Sequence, residues 1–268
     1  VIVLTTDFGL ADPYVGMMKA VLATRAPGVL QVDLCHGVPP FAVESGAFVL
    51  HRAFPWFPEG TVHLAVVDPG VGSSRPAVAL STRGRTLVGP DNGLFAPFAD
   101  AEDLVVVELA ADGITGGHLS STFHGRDLFA PAAALLATGT PIERLGRLRR
   151  DGGSGEGLLE RGRPWWYRQE DVLAARVLWI DRFGNCITGL PARELESFGA
   201  GELVIGGRVL KGLRRTFSEV EVGEALMYIG SGGTLEIAVR EGNAAEEFSI
   251  ETGTVLRLHP RQPGGDTR

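Results

Sequence analysis

The chain has 268 residues, 44% of them hydrophobic and 21% charged, which is the balance of folded domains and excludes a disordered tail, a collagen-like repeat and a small disulfide scaffold. Its net charge is −7, and all but two of its 25 basic residues (Lys19 and Lys211) are arginines, so no basic face for a nucleic acid is expected. The 37 glycines are scattered without period, which points to tight turns or close backbone approaches to a ligand.

The first apolar run, residues 1–4, is too short for the core of a secretory signal and reads as a strand. Helix-like segments at 14–25 and 42–54 alternate with apolar runs at 29–34 and 62–67, a βαβαβ rhythm. Such runs predict an α/β N-terminal domain, a mostly parallel sheet flanked by helices, with ligand loops at the carboxyl ends of its strands. Three loops fall at such ends: Thr5-Thr6-Asp7-Phe8-Gly9, Asp68-Pro69-Gly70-Val71-Gly72 and Gly89-Pro90-Asp91-Asn92-Gly93.

The longest apolar stretch, residues 128–137, falls short of a bilayer and reads as a buried helix. Residues 147–163 are glycine-rich around Asp151-Gly152-Gly153-Ser154-Gly155 and carry no apolar periodicity, which places a domain boundary there: 1–160 and 168–262. Beyond it, short runs at 172–180, 203–205, 226–229, 235–239 and 254–258 predict a smaller all-β barrel C-terminal domain. Cys35 and Cys186 fit no metal spacing, and a reducing cytoplasm is the expected compartment, with no membrane partner.

Chemistry gathers in the loops. Asp7 puts a carboxylate at a strand end, where it can accept hydrogen bonds from ribose hydroxyls or serve as a turn residue. Asp68 and Arg75 lie seven residues apart across Gly70, Gly72, Ser73 and Ser74, a span that can fold the guanidinium back onto the carboxylate. His124 stands just ahead of the apolar helix, with Asp127 at its first turn. On residue types alone, Asp7, Asp68, Asp91, His124 and Asp127 also allow a metal-dependent phosphohydrolase, though without a ligand spacing. In the second half, Ile180-Asp181-Arg182-Phe183-Gly184-Asn185 joins an aromatic ring to an amide that can read a heterocycle edge, or forms a plain β-turn.

Six ordered motifs, Thr5-Thr6-Asp7-Phe8-Gly9, Val67-Asp68-Pro69-Gly70-Val71-Gly72, Gly89-Pro90-Asp91-Asn92-Gly93, Thr122-Phe123-His124-Gly125-Arg126-Asp127, Asp181-Arg182-Phe183-Gly184-Asn185 and Gly242-Asn243-Ala244, resemble the S-adenosylmethionine (SAM) hydroxide adenosyltransferases, or SAM hydrolases, relatives of fluorinase and chlorinase. The resemblance implies hydrolysis of SAM by attack of water at C5′, giving adenosine and L-methionine, without a metal or other cofactor. It also implies a homotrimer whose active sites lie between the N-domain of one subunit and the C-domain of the next. Asp68, Arg75 and His124 match the catalytic set of the hydrolases. Asp7, with Asp12 nearby, would hold the ribose; Phe41 would pack on the ligand and Phe123 would border the reacting carbon. Asp181 and Ser231 would take the ends of the methionine, Phe183, Asn185 and Ala244 would frame and read adenine, and Asn243 would join the substrate-binding set. The fluorinases resemble this pattern with an aromatic residue in place of Asp68, a serine in place of Gly125 and an arginine in place of Gly232. A chloride-using halogenase and a non-catalytic SAM or adenosine binding module are the alternatives.

Overall fold

The computed structural model describes residues 1–149, 159–198 and 201–260, in two compact units, Val1–Arg163 and Pro164–Arg268. The Asp151–Gly155 stretch lies outside the described residues.

The first unit is built on a seven-stranded sheet: β1 (Ile2–Thr6), β2 (Gln31–Cys35), β3 (Val62–Val66), β4 (Ala77–Thr82), β5 (Arg85–Pro90), β6 (Val105–Leu109) and β7 (Gly146–Leu148), ordered β2-β1-β3-β5-β4-β6-β7. β1 pairs with β2 and β3, and β3 with β5, all in parallel. From β5 onward the pairs are antiparallel, so the sheet is mixed and not mostly parallel. The reversal comes from the tight β4–β5 hairpin at Arg83 and Gly84, both at positive φ, which leaves no room for a crossover helix.

The parallel strands show why both faces are covered. Ile2, Leu4, Leu64 and Val66 bury one side against Met18 and Leu22 of α1 (Tyr14–Arg25) and the alanine-rich α4 (Ala130–Ala137). Residues of the opposite parity meet the other layer: His63 packs on Phe54, and Val67 lies so near Gly46 of α2 (Val43–Ala53) that a Cβ there would come within 2.9 Å of it. α4 is entered through one π-helical turn, Gly125–Phe129. A short α3 (Ala111–Thr115) completes the unit.

The second unit curls a nine-stranded sheet nearly closed. Its strands are β8 (Trp166–Gln169), β9 (Val172–Ile180), β10 (Cys186–Pro191), β11 (Glu202–Ile205), β12 (Arg208–Lys211), β13 (Leu213–Arg214), β14 (Ala225–Ile229), β15 (Thr234–Val239) and β16 (Val255–His259). They run β12-β11-β16-β9-β10-β15-β14-β13, with β8 on the flank of β9, and β12 and β14 line one surface depression. The barrel-like core gathers Leu173, Val177, Leu190, Leu203, Ile237 and Leu258. The unit is not all β: α5 (Ala192–Phe198) buries Leu195, and a one-turn α6 (Ala244–Glu247) follows β15.

No described helix is long and apolar enough to cross a membrane.

Candidate active site

The loops after β1, β3 and β5 leave the same end of the parallel strands, as the strand directions require. After β3 the chain turns at Asp68 and runs through Gly70 and Gly72 before Arg75 returns. Arg75 Nε donates to Asp68 Oδ1 at 2.9 Å and Arg75 Nη2 donates to Asp68 Oδ2, a two-pronged contact. The same Nη2 lies 3.0 Å from His124 Nδ1. The Asp68 and Arg75 side chains are only 4% and 10% exposed, so the pair is shielded from solvent. The guanidinium also stacks over the Phe129 ring, 5.2 Å from its centroid.

Two glycines make this geometry possible. Gly72 has φ +78°, and a Cβ on it would overlap the carbonyl oxygen of Ser121, so the Asp68 loop lies directly on the loop that carries His124. Gly125 lies against Met18 Sδ and the Phe123 ring, where a Cβ would come within 3.2 and 3.3 Å of them.

Because a guanidinium has only donors, Arg75 fixes His124 Nδ1 as an acceptor and leaves the proton of the neutral ring on Nε2. Burial pushes the His124 pKa down, and the Arg75 charge pushes it further, against the opposing pull of Asp68 and Asp127.

Asp7 stands beside this cluster. Its Oδ2 accepts the backbone N–H of Phe41 at 2.9 Å. Burial raises its pKa, the Phe41 hydrogen bond opposes that, and the nearby Asp68 charge adds to it. Phe41 holds a left-handed backbone, φ +67°, and its ring is 71% exposed, a strained and solvent-facing aromatic. Phe123 packs edge-on to Phe8 and Tyr14, at 6.1 and 5.3 Å between centroids, and lies under Arg126. Asp12 is exposed.

The remaining carboxylates of the metal reading serve the framework. Asp91 accepts from Arg149 Nη1 at 2.5 Å and from Glu160 N at 2.8 Å, and Asp127 pairs with Arg126 and accepts from Ser120 N. Among the described residues, no three His, Cys, Asp or Glu side chains converge as metal ligands would.

In the second unit, Asp181, Phe183, Asn185 and Ser231 line a cavity of about 720 Å³. Asp181 Oδ1 accepts the N–H groups of Phe183 and Asn185, and Oδ2 accepts Asn185 Nδ2, all at 2.9 Å, so the carboxylate orders the turn that presents Phe183. Asn243 and Ala244 do not line that cavity. Asn243 Oδ1 caps α6 by accepting Glu246 N, its side chain packs over Gly184, and Ala244 is fully buried. Among the lining residues that the sequence reading did not place in the site are Tyr228 and Glu236, joined at 2.5 Å and both largely buried. A glutamate flanked by Leu235 and by Ile237, Ala238 and Val239 on one strand is the signal that could have singled one of them out.

The family model for the SAM hydroxide adenosyltransferase N-terminal domain matches residues 2–146, and that for the C-terminal domain matches residues 175–257. The chain belongs to this family. A relative from Thermus thermophilus named (R)-S-adenosyl-L-methionine hydrolase is 44% identical to this family member, over 94% of this chain and 97% of the relative. A solved structure of an uncharacterized conserved protein from Thermotoga maritima, 33% identical, superposes with a TM-score of 0.85 over 97% of this chain and all of that one. A protein named fluorinase from Nocardia brasiliensis is more distant, at 28% identity over 96% of each chain. The chain thus stands nearer to the relative named a hydrolase than to the one named fluorinase.

Proposed function

We propose that this SAM hydroxide adenosyltransferase hydrolyses (R)-S-adenosyl-L-methionine at C5′, releasing adenosine and L-methionine. The observation that carries the reading is the buried Asp68–Arg75 pair with His124 on the same guanidinium, on a chain 44% identical to a named hydrolase of that substrate. The sulfonium is a good leaving group, so nothing need protonate it; the protein has only to align a water with the C5′–S bond. Water oxygen bonds to C5′, the C5′–S electron pair goes to sulfur as a neutral thioether, and the water gives up one proton. Asp68 keeps free lone pairs beside those taken by Arg75 and orients that water, accepting its proton; Arg75 and His124 hold the carboxylate in place.

Asp7 takes the ribose hydroxyls, Phe41 and Phe123 enclose the nucleoside, and Asp181, Asn185 and Ser231 supply the second set of polar contacts from the cavity beside Phe183. The working form is a homotrimer in the cytoplasm, with each substrate shared between the N-terminal unit of one subunit and the C-terminal unit of the next. A buried carboxylate at position 68 disfavours the chloride alternative, because a desolvated halide beside it would be repelled.

Incubation with SAM in ¹⁸O-labelled water tests the reading. Adenosine and methionine in equal amounts, with the label in the 5′-hydroxyl, are expected. No adenosine above a buffer blank would sink it, and 5′-chloro-5′-deoxyadenosine in chloride buffer would transfer the chain to the halogenases.

A further inference from the structure

The crossover between β2 and α2 grips the β1 loop at both of its ends. At one end Phe41 N donates to Asp7. At the other, the His36 carbonyl accepts Gly9 N at 2.8 Å, and the His36 ring nitrogen Nδ1 lies 2.8 Å from Thr6 Oγ1. Thr6 Oγ1 in turn lies 3.3 Å from the Phe8 N–H, so one hydroxyl ties the residues on either side of Asp7. Thr6 is fully buried and His36 is 6% exposed.

A strand irregularity brings the ring there. Leu4 pairs with Asp33, but Thr5 pairs with Cys35, so Leu34 is an extra residue in β2. The bulge advances the strand by one position and sets His36 opposite Thr6, where regular pairing would have put Cys35. The far ring nitrogen is fixed as well: His36 Nε2 lies 3.1 Å from Asp33 Oδ1, whose other oxygen accepts Lys19 Nζ at 2.9 Å. A carboxylate can only accept, so Nε2 carries a proton, and in the neutral ring Nδ1 is left to accept the Thr6 hydroxyl. Burial raises the Asp33 pKa, but hydrogen bonds from Lys19 and His36 outweigh it and hold the group below the usual carboxylate range. The chain Lys19, Asp33, His36, Thr6 and Phe8 N runs from the surface to the loop, and every link has a defined direction.

We propose that His36 is a positioning residue for Asp7, setting the β1 loop so that this carboxylate meets the vicinal hydroxyls of a ribose. The proposal rests on the reading of Asp7 as the ribose contact. A vicinal diol is gripped alike before and during C–S cleavage, so a misplaced Asp7 weakens binding more than it slows the chemical step.

The test is a double-mutant cycle on the full chain. It uses adenosine affinity by equilibrium dialysis, KM and kcat for SAM, and thermal melting as a separate record of folding. His36→Ala is expected to weaken adenosine binding and raise KM by about tenfold, with kcat within about twofold, the effect of losing one oriented hydrogen bond. Thr6→Val, which removes the hydroxyl and keeps the shape, should do the same, and the double variant should be no worse than either single one. His36→Asn, which restores an acceptor near Thr6, should recover part of the loss. Unchanged adenosine affinity in both single variants, or effects that multiply in the double variant, would overturn the proposal. If the parent protein binds adenosine but does not cleave SAM, the hydrolase reading falls while the dialysis series still decides the role of His36. A parent that binds no adenosine overturns both.

Discussion

Arg75 donates to both carboxylate oxygens of Asp68 and, through the nitrogen it shares, also reaches His124 Nδ1. A single guanidinium therefore sets the orientation of an acid three strands away in sequence from the imidazole it also holds. Lysine cannot copy this, since an ammonium has no planar fork. Arg75→Lys should lower kcat for SAM by about a hundredfold or more, and Asp68→Asn by a similar factor while still binding adenosine. Single-turnover assays with adenosine binding measured alongside decide it; Asp68→Asn with full turnover would reduce Asp68 to a turn residue.

His124 should give the acid limb of the pH profile. Burial and Arg75 lower its pKa, so the neutral ring that accepts from Arg75 persists below the ordinary value of 6.5. Turnover should stay level as pH falls through 6.5 and decline only at lower pH, when a proton on Nδ1 displaces the Arg75 contact. A profile of kcat/KM against pH that already breaks above 6.5 would assign the limb to another group.

Asp7 trades stability for binding. Its folded pKa is raised, so at neutral pH the ionised group costs stability relative to a neutral one of the same shape. Asp7→Asn keeps an acceptor for Phe41 N and should raise Tm at pH 7. The gain should shrink as pH falls through the raised native pKa and vanish below 3.8, where the parent side chain is protonated in both states. The same variant should bind adenosine more weakly; a lower Tm with unchanged affinity would contradict both halves.

His63 predicts acid sensitivity away from the site. It is fully buried between Phe54 and Phe57, neither ring nitrogen has a hydrogen-bond partner among the described residues, and burial, followed by the Arg85 charge, lowers its pKa to about 4. The unfolded chain takes up a proton near 6.5 that the native state refuses, so stability should drop by roughly 3 kcal/mol between pH 6.5 and 4 from this group alone. Urea titrations of His63→Leu should show a flatter dependence across that window, and a slope equal to that of the parent would count against it.

Much of the first unit is legible in its sequence, and the failures have physical causes. β1 and β3 are legible as short runs, fully buried because both faces are covered, while the edge strand β2 is half exposed and carries Asp33; β9 over 172–180 matches its predicted span. The antiparallel half is hidden by its hairpin: the turn uses Arg83 at φ +49° where asparagine or glycine would have signalled it. α5 is too short for helical periodicity to outweigh the strands around it. In the site, the return of Arg75 onto Asp68 follows from a seven-residue spacing rich in glycine, whereas its contact with His124 spans 49 residues and needs the fold. The bulge at Leu34 that aims His36 leaves no mark in composition at all.

Asp91 has a consequence for how the chain can vary. Its two oxygens tie Arg149 on one side and Glu160 on the other, so the ends of the stretch between them are fastened at one point of the sheet. Removing the Asp91 carboxylate would therefore release two chain positions at once, so a single substitution beside the Gly89-Pro90 strand end reaches well beyond its own loop.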